Sequence, residues 1–251
     1  MVTRLVCCFV LGIAVLGSSC KTASDATERV RTSPVATTAA DSGRADAAAS
    51  AALLTVHDLA GGWVEDSEQE TDELELSEEC DVFRDSDADE TDRYPGELAY
   101  RESPVFVGED DQQIVSFAAV FDSTAAAVMV FSDTKAAFAR CGEALADATR
   151  QAIIDEVGDR VRPEELNIAT NFTELPSPSL GEESLAYRLH AALVVRSISL
   201  DYFIDIIIAR AGRISGGLYY VTLQKDDPQR DVSGRRAGDK LTAADRSLGA
   251  D

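Results

Sequence analysis

Residues 185–223 read LAYRLHAALVVRSISLDYFIDIIIARAGRISGGLYYVTL, and their periodicity decides the fold. Leu185, Tyr187, Leu189, Ala191, Leu193 and Val195 recur every second residue, which places them on one face of an extended strand. A turn at Arg196 to Ser199 leads into Tyr202, Ile204, Ile206 and Ile208, so a second strand pairs antiparallel with the first. Ala211 and Gly212 then turn a second hairpin into Ile214 to Leu223. Gly216 and Gly217 mark a bulge or a close backbone approach. The run is an antiparallel meander with one strongly apolar face.

Upstream, Leu98 to Val107, Gln113 to Phe121 and Leu166 to Leu175 also read as strands, the last ended by Pro176 and Pro178. In the second of these, Val115, Phe117, Ala119 and Phe121 form a bulkier face than Ile114, Ser116, Ala118 and Val120. Asp122 and Ser123 cap a short Ala-rich helix to about Phe131. Ser132 is a candidate N-cap for a longer helix in which Phe138, Cys141, Leu145 and Ala148 share a stripe and Gly158 marks the end. The tail from Asp239 adds a weak final helix. This order gives an α+β fold, an antiparallel sheet of five to six strands with helices packed on one face.

The first residues carry an address. After Arg4 comes an apolar run from Leu5 to Leu16, then Gly17, Ser18, Ser19 and Cys20. A charged start, a short apolar stretch and small residues before a cut describe a secretory signal, and the run is shorter than the ~20 residues of a spanning helix. The layout resembles the bacterial lipoprotein signal, which implies residues 1–19 as a signal peptide and Cys20 as a lipid anchor to the cell membrane. The alternative is a secretory signal cut elsewhere, because Gly17 stands where that motif has Leu, Val or Ile.

Composition sets further bounds. The formal charge of −22 disfavours nucleic acid and anionic lipid headgroups. With Cys7 and Cys8 in the signal and Cys20 as anchor, Cys80 and Cys141 remain as an even pair, which in an exported chain reads as a disulfide. Closing that loop stabilises the fold by roughly 4 kcal/mol. Residues 20–50 are Ala, Ser, Thr and Asp with little that is large and apolar, a disordered linker. One domain is expected over residues 51–251, starting with Leu53 to Leu59 and a Trp63 seated in the core. From Glu65 to Glu97 there are sixteen acids and two arginines, and self-repulsion keeps this an open loop pinned by Cys80.

Chemistry-bearing motifs are few. Ser132 to Lys135 matches Ser-x-x-Lys, but neither Ser-Asp-Asn nor Lys-Thr-Gly follows, and helix capping explains Ser132. Asp85, Asp87 and Asp89 alternate as in a calcium loop, yet Glu90 and Gly96 occupy the places that need Gly and Glu. Asn171 to Thr173 fits a glycosylation sequon. With only His57 and His190, no metal site, cofactor or catalytic centre is expected. A symmetric turn in the meander sets His190 opposite Asp205, a pair that reads as a cross-strand contact before it reads as a dyad. That second face is mixed. Arg188, His190, Phe203, Asp205 and Tyr220 share it with Ile207 and Leu218, so it needs either a cover or a ligand. The helix pair or the segment around Trp63 is the simpler cover, and a binding cleft is the alternative.

The order of landmarks is also familiar. Leu53 to Trp63, Cys80, Ala119 to Phe121, Ala137 to Cys141 and Leu180 to Ser184 together resemble the actinobacterial extracytoplasmic sensor-like domains. That group includes lipoproteins and the outer domain of PknH-type serine/threonine protein kinases. The resemblance spans most of residues 51–223 and implies an α+β sheet with a cleft for a small extracellular ligand, and no established chemistry. The expected function is therefore a membrane-tethered, extracytoplasmic binding or sensing module. The alternative is a structural lipoprotein whose acidic loop docks on a basic envelope protein, an association that fades as salt rises. A hydrolase would need Ser, His and Asp to converge from distant segments.

Overall fold

The computed structural model describes residues 39–66, 80, 94–158 and 161–249. The signal segment, Cys20, residues 21–38, the calcium-like acids and all of the acidic stretch between 66 and 94 except Cys80 lie outside the described residues.

An eight-stranded antiparallel sheet dominates. The strands are β1 (Val64–Asp66), β2 (Glu97–Glu102), β3 (Val105–Val107), β4 (Gln113–Phe121), β5 (Leu166–Glu174), β6 (Glu183–Val195), β7 (Ile198–Ala211) and β8 (Ile214–Thr222). Their order is β1-β3-β4-β8-β7-β6-β5, with β2 also paired to β4. The stretch expected as one strand over Leu98 to Val107 is two, because Pro104 lacks an amide for the ladder. Ser103 closes the gap: its amide donates to Ser116 O, and its hydroxyl accepts from Ser116 N–H at 2.9 Å.

Among the described residues, three α-helices cover the sheet: α1 (Ala39–Ala52), α2 (Thr124–Gly158) and α3 (Pro228–Leu248). They pack on both faces, where the sequence led us to expect one. Under α2, Phe138, Cys141 and Leu145 meet Leu185, Tyr187, Leu189, Ile204, Ile206 and Ile208, the alternating set of the meander. Cys80 and Cys141 are bonded there, with Cα atoms 5.7 Å apart. Under α1 and α3 lie Ile114, Ala118, Ile207, Leu218, Tyr220 and Trp63. Trp63 is buried as expected, its ring 6.4 Å from that of Tyr220.

Three further expectations need correction. Residues 39–50 are not linker: Ala45, Ala48, Ala49 and Ala52 are buried against the sheet side of α1, so folded structure begins before residue 51. Small side chains bury little area each, but they let backbones approach closely and gain dispersion contacts that a composition reading does not register. Ser132 caps nothing, because α2 is one continuous helix through it; the cap is Ser123, whose Oγ accepts from Ala126 N–H at 3.2 Å. The last helix starts at Pro228 rather than Asp239, with Asp227 as N-cap accepting from Gln229 N–H.

The meander's faces are as expected and its register is not. Val195 pairs with Ile198 across a two-residue turn, so Arg188 faces Asp205 and His190 faces Phe203. The shift from the symmetric four-residue turn is even, which preserves every side chain's face while changing its partner. At Gly217 an added Cβ would sit 1.9 Å from Ile207 O, the close approach that the Gly pair signalled; no register shift interrupts β7 and β8 there.

Candidate functional site

By register Arg188, His190, Phe203, Asp205 and Tyr220 share one face of the sheet, and none of them lines the groove described below. Arg188 and Asp205 form a forked ion pair, Nε to Oδ1 at 2.6 Å and Nη2 to Oδ2 at 2.7 Å. Asp205 is fully buried, and the cost of placing a carboxylate there is offset by the donors that surround it. A third donor is one the sequence did not flag: Arg230, in the first turns of α3, reaches Asp205 Oδ2 at 3.2 Å. Arg230 also donates to Asp231 at 2.7 Å. Burial works against its charge, but the bond to Asp231 and the proximity of Asp205 outweigh it and raise its pKa.

Tyr220 is buried, and its hydroxyl donates to Asp227 at 2.7 Å. Burial foremost, then that carboxylate, pushes the phenol's pKa well up. Asp227 collects donors from Tyr220, Gln112, Thr222 and the Gln229 amide. Burial raises its pKa, but those bonds prevail and hold it below the ordinary carboxylate value.

His190 lies away from Asp205. Its Nε2 is 2.8 Å from Asp201, its Nδ1 is 3.2 Å from the Asn171 amide, and its ring stacks on Phe203 at 4.6 Å. The Arg188 guanidinium stands 5.1 Å from the Phe203 ring centre. Both ring nitrogens are thus engaged, Nδ1 with the Asn171 side-chain amide and Nε2 with the Asp201 carboxylate. Asn171 of the sequon serves in β5 as this partner.

Beside the network a groove of about 440 Å³ opens, lined on one side by Pro176, Pro178 and Leu180 of the β5–β6 connection. Its other side is α3 at Arg230, Asp231, Gly234 and Arg235, and Ala186 and Ile207 are its floor. The connection is held in place: Leu175 N–H donates to Ala186 O at 2.8 Å, Glu182 N–H to Arg210 O at 2.8 Å, and Ser184 Oγ to Pro178 O. Arg230 belongs to both groove and ion network. Sequence reading missed the α3 wall, although Ser233, Gly234, Ala237, Gly238, Leu241 and Ala244 recur at helical spacing and are buried. Small residues hid the stripe from a search for large apolar ones.

The groove offers an apolar floor and cations on its rim, with the buried Arg188–Asp205 ion pair beside it. No protein-family model matches the chain, and no curated protein matches it. Among solved structures, it is similar to the extracellular domain of PknH from Mycobacterium tuberculosis, with a TM-score of 0.42 and 11% identity, over 80% of this chain and 97% of that one.

Proposed function

We propose that this chain is a membrane-tethered, extracytoplasmic and non-catalytic module that binds or senses a small ligand in the groove between the β5–β6 connection and α3. The observation that carries this reading is the groove itself. At about 440 Å³, with an apolar floor, a few charged groups on the rim and walls pinned by backbone hydrogen bonds, it matches the build of preformed small-molecule sites. The apolar leader ending at Cys20 supports export and anchoring, and the Cys80–Cys141 bond suits an oxidising compartment. His190, the base that a hydrolase reading would need, is held at both nitrogens, which favours a non-catalytic role.

Native mass spectrometry of the full chain purified from cells tests this. A discrete added mass, lost on denaturation, is the expected result. A bare mass, two hydrogens light for the disulfide, would overturn the small-ligand reading and turn the search to basic protein partners of the acidic stretch.

A further inference from the structure

Charges around the groove do not balance. Among the residues that line it, two arginines, Arg230 and Arg235, stand against one carboxylate, Asp231; Arg230 is committed to Asp231 and to Asp205 behind the groove. Arg235 is exposed on the groove wall, and no ion pair among the described residues involves it. In a chain of formal charge −22, one surplus guanidinium beside the apolar surface of Leu180 and Ile207 is a selective feature. Resting on the groove as the ligand site, we propose that it takes a small amphiphile with a single negative charge, a carboxylate head on a short hydrocarbon body. Arg235 receives the head through charge-assisted hydrogen bonds, and the body lies over Ala186 and Ile207. One charge is selected because a second would meet Asp231, whose side chain is 55% exposed on the same rim. A single short chain is selected by the volume.

Isothermal titration calorimetry of the full chain with octanoate and 1-octanol, which share the chain and differ in the head, tests the assignment. Octanoate is expected to bind one saturable site at least tenfold more tightly than octanol, about what one charged hydrogen bond contributes. R235Q should bring octanoate down to the octanol level and leave octanol and the thermal midpoint unchanged. R236Q, which changes the neighbouring exposed arginine outside the groove lining, should leave both probes unchanged. Equal binding of octanoate and octanol would overturn the charge assignment while keeping the groove as a binding site. So would a preference that R235Q leaves intact or that R236Q abolishes equally. Binding of neither probe would overturn the assignment together with the groove reading.

Discussion

The two faces of the sheet solve burial differently. Under α2, Phe138, Phe172 and Tyr187 stack with centroids 4.7 to 5.8 Å apart, and Leu189 and Ile206 are fully buried, each side chain stabilising by about 1.5–3 kcal/mol. Under α1 and α3 the helices present mainly Ala, Gly and Ser, the sheet presents the Arg188–Asp205 pair, and Tyr220 of the sheet bonds Asp227 at the α3 N-cap. Non-directional packing makes the first face stable, whereas directional bonds position groups on the second and leave a groove open. A domain of marginal stability can carry such a face when the opposite one is dry.

Four changes would break or sharpen that contrast. The largest effect is expected from Asp205→Ala, which leaves the buried Arg188 guanidinium without its ion-pair partner and Arg230 with Asp231 alone. The loss should reach the upper end of the range for broken buried pairs, about 5 kcal/mol, read by urea unfolding. A loss below about 1 kcal/mol would mean the polar face is not structurally coupled. Cys80→Ser with Cys141→Ser should cost roughly 4 kcal/mol by loop closure and act on the α2 face, leaving octanoate binding by the folded fraction unchanged. Altered affinity in that fraction would show that the two faces communicate. Gly142→Ala places a Cβ 2.3 Å from the Phe172 ring, so the ring or α2 must shift, at about 2 kcal/mol. A neutral result would mean the dry face repacks freely.

The smallest change is Asp227→Asn, about 1.5 kcal/mol at neutral pH. It should also flatten the acid limb of stability. Asp227's folded pKa lies below its ordinary value of 3.8. Its stabilisation is therefore complete above that unfolded value and lost as pH falls through the lower folded one. Stability curves of the two proteins that stay parallel from pH 6 to pH 2 would remove Asp227 from the acid response.

How much was legible follows from the kind of signal. The meander's face pattern was readable because Leu185 to Val195 and Tyr202 to Ile208 alternate in side chains large enough to stand out, and the disulfide because two cysteines remained for an oxidising compartment. The register was not readable. Arg196, with φ of 57°, takes a tight turn that a side-chain pattern of period two cannot distinguish from a looser one, since both conserve the buried face. That choice decides that Asp205 meets Arg188 and leaves His190 to Asp201.

Helices α1 and α3 show the other limit. Apart from Leu241, their buried stripes are Ala, Gly and Ser, residues whose intrinsic hydrophobicity is slight and whose contribution comes from how closely two backbones approach. The sequence by itself determined the α+β class, the dry face and the mixed composition of its reverse. Tertiary structure alone decided which helix covers that reverse face, that Arg230 joins Asp205, and that a groove remains between α3 and Pro176 to Leu180. Those outcomes depend on distances between segments far apart in the chain, and local periodicity carries no information about them.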